Sequence, residues 1–252
     1  GYIKNRDLAG LQMADQKKVT EHVTHAWYEE GKAKHPFEGE TKPKHGDYKP
    51  DEGKYSWFKA PRYEDEACEV GPLARVLVAY AKNHEDIKPI VDKTLKDLNI
   101  PVTALFSTLG RTAARGLETI AIGNAMEGWI MELIGNVKKG DTKTYQSWEM
   151  PDSAMGVGLN DVPRGSLGHW IKIEKGKIGN YQYVVPSTWN LSGRCEKGKL
   201  SPVEEALVGT PIADPKRPLE VLRTVHSFDP CIACGVHVID PESNQVYDIK
   251  VL

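Results

Sequence analysis

The stretch from residue 102 to about 137 limits the fold more than any other part of this 252-residue chain. Leu105, Leu109, Ala113, Leu117, Ile120, Trp129, Leu133 and Ile134 give it broad apolar coverage, as a long core helix requires. Its most apolar part, residues 117–137, is interrupted by Glu118, Asn124, Glu127 and Glu132. A membrane span needs about 20 mostly apolar residues, so that reading is rejected. Arg111, Arg115 and Glu118 fall at i, i+4 and i+7 and share a face. They read as a salt-bridged stripe on an interior or interface helix rather than as catalytic groups.

Two shorter helices precede it. Pro72 suits a first helical turn, and Leu73, Val76, Leu77 and Tyr80 recur at helical spacing. A second segment runs from about 84 to 98 and stops before Pro101. Residues 32–59 are rich in Gly, Pro, Lys and His and poor in aliphatics, which makes a surface or interface excursion. The rings around it (Trp27, Tyr28, Phe37, Tyr48, Tyr55, Trp57, Phe58) argue for order, because disordered segments are aromatic-poor. Beyond Pro151, residues 169–174 and 180–185 flank a Lys-Gly-Lys turn and read as a β-hairpin. Residues 188–194 look turn-like, 202–208 and 218–227 like short helices, and 238–252 like a small hairpin. The class is mainly α with small β-hairpins (α+β).

Composition removes several functions. A net charge of -2 supplies no basic field for nucleic acid. The N-terminal residues carry no basic-then-apolar signal pattern, and Gly1 stands where an initiating methionine would. The chain is therefore expected to begin mid-protein or after processing. Four cysteines (Cys68, Cys195, Cys231, Cys234) are sparse for a disulfide scaffold of this length but permit a four-thiol zinc site.

The chemistry concentrates in Asp229-Pro230-Cys231-Ile232-Ala233-Cys234-Gly235-Val236-His237. Two thiols and an imidazole recur there at three-residue intervals. Thiolates are soft ligands for nickel, iron, zinc or copper, and an adjacent imidazole serves a borderline or harder ion. Cys-x-x-Cys alone is shared by redox disulfides and zinc knuckles.

The longer string, entered through residues 223–228, resembles the C-terminal signature of nickel–iron hydrogenase large subunits. Three more segments resemble that family in order: 55–63 running into 69–75, 110–115, and 163–170 followed by 181–190. The resemblance implies long core helices of the large-subunit type and reversible heterolytic cleavage of dihydrogen at a nickel–iron centre whose iron carries carbon monoxide and cyanide. Cys231 is then the terminal nickel ligand and first proton acceptor, and Cys234 the nickel–iron bridge. His237 and the backbone carbonyl of Tyr183 ligate a magnesium-type ion. Arg164 overhangs the metals in a positioning and electrostatic role. Pro186, Ser187 and Thr188 lie behind the ligands, with Ser187 and neighbouring amides bonded to a cyanide, while His226 is a supporting or core residue.

The same resemblance implies partners and processing. The family's N-terminal Arg-x-Cys-x-x-Cys box is absent, so residues 1–237 correspond to the C-terminal portion of a large subunit, inactive alone and completed by an N-terminal part carrying the missing pair. Residues 238–252 correspond to an extension removed by a maturation endopeptidase. No further iron–sulfur spacing occurs, which implies a small cluster-bearing subunit, with the excursion at 27–58 as a contact surface. Resemblance to the uptake branch implies a periplasmic home, with membrane association through partners. Two other classes compete: a zinc-stabilised interaction module, and a metal-free related subunit of a redox complex.

Overall fold

The computed structural model describes residues 1–47 and 53–231. Helix α1, Pro72–Ala81, opens on Pro72 and buries Leu73, Val76 and Leu77. Helix α2, Ile87–Leu98, begins after the expected start at His84 and buries Val91. Asn99 ends it in the left-handed conformation (φ 52°), its N–H returning to the Leu95 carbonyl, as a C-terminal cap does. Helix α3, Thr108–Lys138, adds Ala114 and Leu117 to this core.

The expected single helix from 102 is broken. Val102–Leu105 forms one 3-10 turn, and extended Ser107 caps α3 by accepting the Gly110 N–H at 3.0 Å. A Cβ on Gly110 would stand 1.9 Å from the Leu105 carbonyl, so only glycine allows the chain to double back so tightly.

The long helix expected here forms, but among the described residues little of it is enclosed. Of its residues only Gly110, Ala114 and Leu117 are buried. Leu109 is 81% exposed, Trp129 57% and Leu133 62%, with Ile120 and Ile134 exposed as well. The apolar coverage is present, but no described element reaches the distal half of the helix to cover it. A helix apolar all round is ordinarily enclosed, so this face fits an environment that the described residues do not supply. Among them, no helix is long and apolar enough to cross a membrane.

Three antiparallel strands, β3 (Ser153–Val162), β4 (Gly165–Glu174) and β5 (Lys177–Val184), form a sheet in the order β3-β4-β5. The β4–β5 hairpin forms around Lys175 and Gly176, both at positive φ, which matches a tight turn to the strand twist. Strand β3 was not anticipated. Gly156, Gly158, Asn160 and Asp161 depress its strand signal, and as an edge strand it leaves Met155 and Leu159 exposed. Inward-facing Trp170 and Val184 join Val19, Tyr63 and Trp189 in a second core.

The excursion is bracketed by an unanticipated pair, β1 (Val19–His22) and β2 (Ala60–Tyr63). Both are too short, and β2 too proline-marked, for a periodicity reading. Rings do hold the excursion: Trp27 meets Trp57 edge-on at 4.9 Å, and His45 stacks on Trp57 at 5.8 Å. Two lysines hold it as well. Lys54 donates to the Val23, Ala26 and Tyr28 carbonyls, and buried Lys59 to the Glu40 carbonyl and Gln182 Oε1. Lys59 also faces buried Glu21 at 3.7 Å, and burial pushes the Glu21 carboxyl up from its ordinary value.

The turn expected from 188 begins as helix α4, Pro186–Leu191, because Pro186 presets the first-turn dihedral. Helices α5 (Pro202–Leu207), closed by a Ser201/Glu204 capping box, and α6 (Leu219–Ser227) follow as expected. The 238–252 hairpin lies outside the described residues.

Replacing Leu77 by Ala should cost about 2–5 kcal/mol in chemical denaturation, as cavities in packed cores do. Trp129→Ser should stay within about 0.5 kcal/mol, since no described group covers that ring. A large loss for Trp129→Ser would mean that α3 is packed in this chain.

Candidate metal and proton-handling site

The site begins at a turn. Strands β3 and β4 pair as far as Val162 and Gly165, leaving Pro163 and Arg164 at the corner. Arg75 of α1 grips this corner: its guanidinium donates to Asp161 Oδ1 and the Val162 carbonyl, both at 2.7 Å, and to the Pro163 carbonyl at 2.9 Å. The same guanidinium is bidentate on Glu118 of α3. Behind the corner, two backbones touch. Gly165 lies at φ 135°, and a Cβ there would stand 2.7 Å from the Gly71 nitrogen. Gly71 lies at φ 130°, and a Cβ on it would stand 3.1 Å from the Arg164 carbonyl. Glycine is required at both positions by conformation and by space.

Arg164 points across to the end of α6, where its Nη2 stands 3.5 Å from Asp229 Oδ1. Asp229 occupies the left-handed region (φ 52°) and turns the chain out of α6. Two residues on, the half-buried Cys231 donates its backbone N–H to Ser187 Oγ at 3.0 Å. Ser187 is 3% exposed and sits in the first turn of α4, between buried Pro186 and Thr188. Arg164, Asp229, Ser187 and the backbone of Cys231 thus come together at the meeting of the β3–β4 turn, α4 and the α6 exit.

The shared face of α3 orients the α6 exit. Arg111 forms a fork on Glu69 at 2.8 and 2.9 Å and lies 3.9 Å above the Phe228 ring, while Arg115 donates to the Ser227 carbonyl. The salt-bridged reading of this face holds, but each partner comes from another element rather than from the stripe itself.

Other site expectations fall differently. Tyr183 lies on β5 opposite His169, with its side chain exposed and its ring beside the His169–Tyr181 stack. His226 is exposed on the last turn of α6, so the core alternative for it does not hold. Cys234 and His237 lie outside the described residues. Burial pushes the Cys68 thiol up to about 12, which makes it an inert packing group, and Cys195 is fully buried. Among the described residues, no three His, Cys, Asp or Glu side chains gather to hold a metal. Asp229 was missed as a site residue. Its signal was its place before Pro230 in the cysteine box. Asn190, which brackets Val70, lies at the end of the 181–190 segment, but nothing local in the sequence marks its partner.

Gly165→Ala should destabilise the chain by roughly 1–3 kcal/mol through its positive φ and the Gly71 collision. Gly176→Ala, at φ 65° with nothing within 4 Å, should cost less, so denaturant midpoints of the two variants separate the collision from the dihedral. Equal losses would contradict the close contact.

The nickel-dependent hydrogenase family model matches residues 1–237. The uptake hydrogenase large subunit of Rhizobium leguminosarum bv. viciae is 47% identical, the match covering 100% of this chain and 46% of that protein. The hydrogenase-2 large chain of Escherichia coli K12 is 41% identical, covering 100% and 47%. Among solved structures, the H2-activated [NiFeSe]-hydrogenase of Dm. baculatum superposes with a TM-score of 0.78 at 39% identity, covering 94% of this chain and 47% of that one. The chain spans about half the length of the relatives it matches.

Proposed function

The chain belongs to the nickel-dependent hydrogenase family, and from that premise we propose that it forms the C-terminal half of a large subunit that reversibly cleaves dihydrogen. The observation that carries the reading is the convergence of Cys231 with Ser187 and the Arg164–Asp229 pair, at the entry to the Cys-x-x-Cys-x-x-His string.

The donor set fits one side of a bimetallic centre. Cys231 and Cys234 are soft ligands of the right type, and one bridging thiolate can serve two metals. Two thiols are too few for nickel and iron together, so the remaining ligands come from the other half of the large subunit. When bound, the nickel–iron centre supplies the Lewis acidity that splits dihydrogen heterolytically. Cys231 Sγ then accepts the proton. Arg164 keeps its own proton and acts by charge and position, and Asp229 fixes its direction. Because Ser187 Oγ accepts from the Cys231 N–H, its hydroxyl proton remains to be donated, which suits an anionic cyanide on iron with Pro186 and Thr188 packed alongside. His237 and the Tyr183 carbonyl hold a magnesium-type ion, where oxygen ligands and retained water are usual. His226, exposed on the last turn of α6, takes a supporting role.

The uncovered distal half of α3 and the exposed apolar side chains of β3 fit the N-terminal half as their cover. Electrons leave to a small iron–sulfur subunit, with the ring-pinned excursion as its contact. Residues 238–252 are the extension removed by an endopeptidase, in keeping with a family match that ends at residue 237. The assembled enzyme works at the periplasmic side of a membrane.

Co-production with a polypeptide equivalent to the missing half, followed by dye-linked hydrogen oxidation, tests this. The 252-residue chain alone should be inactive, the assembly active, Cys231→Ser inactive, and Arg164→Lys slower by on the order of 10²-fold. Hydrogen uptake by the chain alone, or full activity of Cys231→Ser, would refute it.

A further inference from the structure

We infer that Asn190 is a positioning residue that sets Arg164 relative to Cys231, an inference that rests on the reading above. Residues 67–70 have no regular structure, so their backbone groups need partners from elsewhere. Both polar groups of Val70 find theirs in one side chain. The Val70 N–H donates to Asn190 Oδ1 at 3.0 Å, and Asn190 Nδ2 donates to the Val70 carbonyl at 2.8 Å. An amide is the side chain that can accept and donate side by side in this way, and the two partners fix which end is which. Asn190 is 2% exposed, so neither bond has water as a ready substitute.

Ser187 and Asn190 lie three residues apart on α4, and residues at that spacing share a helix face. One end of this face accepts the Cys231 N–H. The other holds Val70, whose neighbour Gly71 packs directly on the backbone of Arg164 and Gly165. Thiol and guanidinium are thereby referenced to a single six-residue helix, one through Ser187 and the other through Asn190, Val70 and Gly71. Arg75 fixes the β3–β4 turn to α1 and α3, but neither of those helices carries Ser187. Beside the Arg164–Asp229 pair and the Glu69–Arg111 fork, the amide bracket is the side-chain link that ties the backbone behind Arg164 to the helix that receives Cys231.

Two measurements on Asn190→Leu test this. In the 252-residue chain, hydrogen exchange should accelerate at Val70 and Gly71 and through 164–166; unchanged exchange at 164–166 would overturn the link. In the assembled enzyme, nickel and iron content should hold while turnover falls about 10-fold, since a small misplacement at a reacting centre is costly. In an Arg164→Lys background the same substitution should cost at most about 2-fold, because the two changes act through one group. Equal losses in both backgrounds, or loss of activity in step with loss of nickel, would make the role structural and defeat the inference. If the Leu variant fails to fold, the isosteric Asn190→Asp, which keeps the acceptor and loses the donor, carries the same readouts. A wild-type assembly without nickel or turnover would instead sink the functional reading and the catalytic consequence with it, while the exchange result still reports the link.

Discussion

The contact of two glycine backbones, Gly71 against Gly165, is the constraint on which the rest of the site depends. It brings the chain before α1 within touching distance of the β3–β4 turn and leaves Arg164 projecting at a fixed corner. Everything nearby serves that corner. Arg75 ties its carbonyls to Glu118, Asn190 ties the irregular segment behind it to α4, and the Glu69–Arg111 fork carries the same segment to the Phe228 ring at the end of α6. Cys231 arrives at this framework from α6, and its backbone N–H is received by Ser187 Oγ. The charged groups here link separate elements rather than decorating a surface, which is why their removal affects geometry before it affects charge.

The parts of this architecture that were legible in sequence are those carried by local signals. Pro72 and its apolar successors mark α1, the Lys-Gly-Lys turn marks the β4–β5 hairpin, and the Ser201/Glu204 pair fits the cap of α5. What could not be read depends on distant partners. The β1–β2 pair joins residues some forty positions apart, with Pro61 inside it. Strand β3 is masked by its own glycines, and Asn190 gains meaning only once Val70 is beside it. The long helix shows both cases at once. Its periodicity revealed where it runs, but periodicity reports what a helix can bury and says nothing of who covers it. Residue types alone left the cysteine box open between metal and redox chemistry, and the Arg164–Asp229 pairing needed the fold.

Under the proposed function, the uncovered side of α3 and the ligand shortage at the cysteine box have one origin. The chain spans about half of its relatives, and under the proposed function it would present half a hydrophobic interior and half a ligand set. Apolar surface on this scale is costly to leave in water, and a thiolate pair is an incomplete cage for two metals. The proposed N-terminal half would meet both deficits, burying the helix and bringing further sulfur. Folding of the two halves and completion of the centre would then be a single linked event, in which metal binding contributes to the stability of the joined protein.

The most direct test of the account is X-ray absorption at the nickel edge of the assembled protein, compared with a variant in which Cys231 and Cys234 are both serine. The account predicts sulfur around nickel in the wild type and a marked loss of that sulfur, or of nickel itself, in the variant. An unchanged sulfur environment in the variant, or zinc in place of nickel and iron in the wild type, would contradict it.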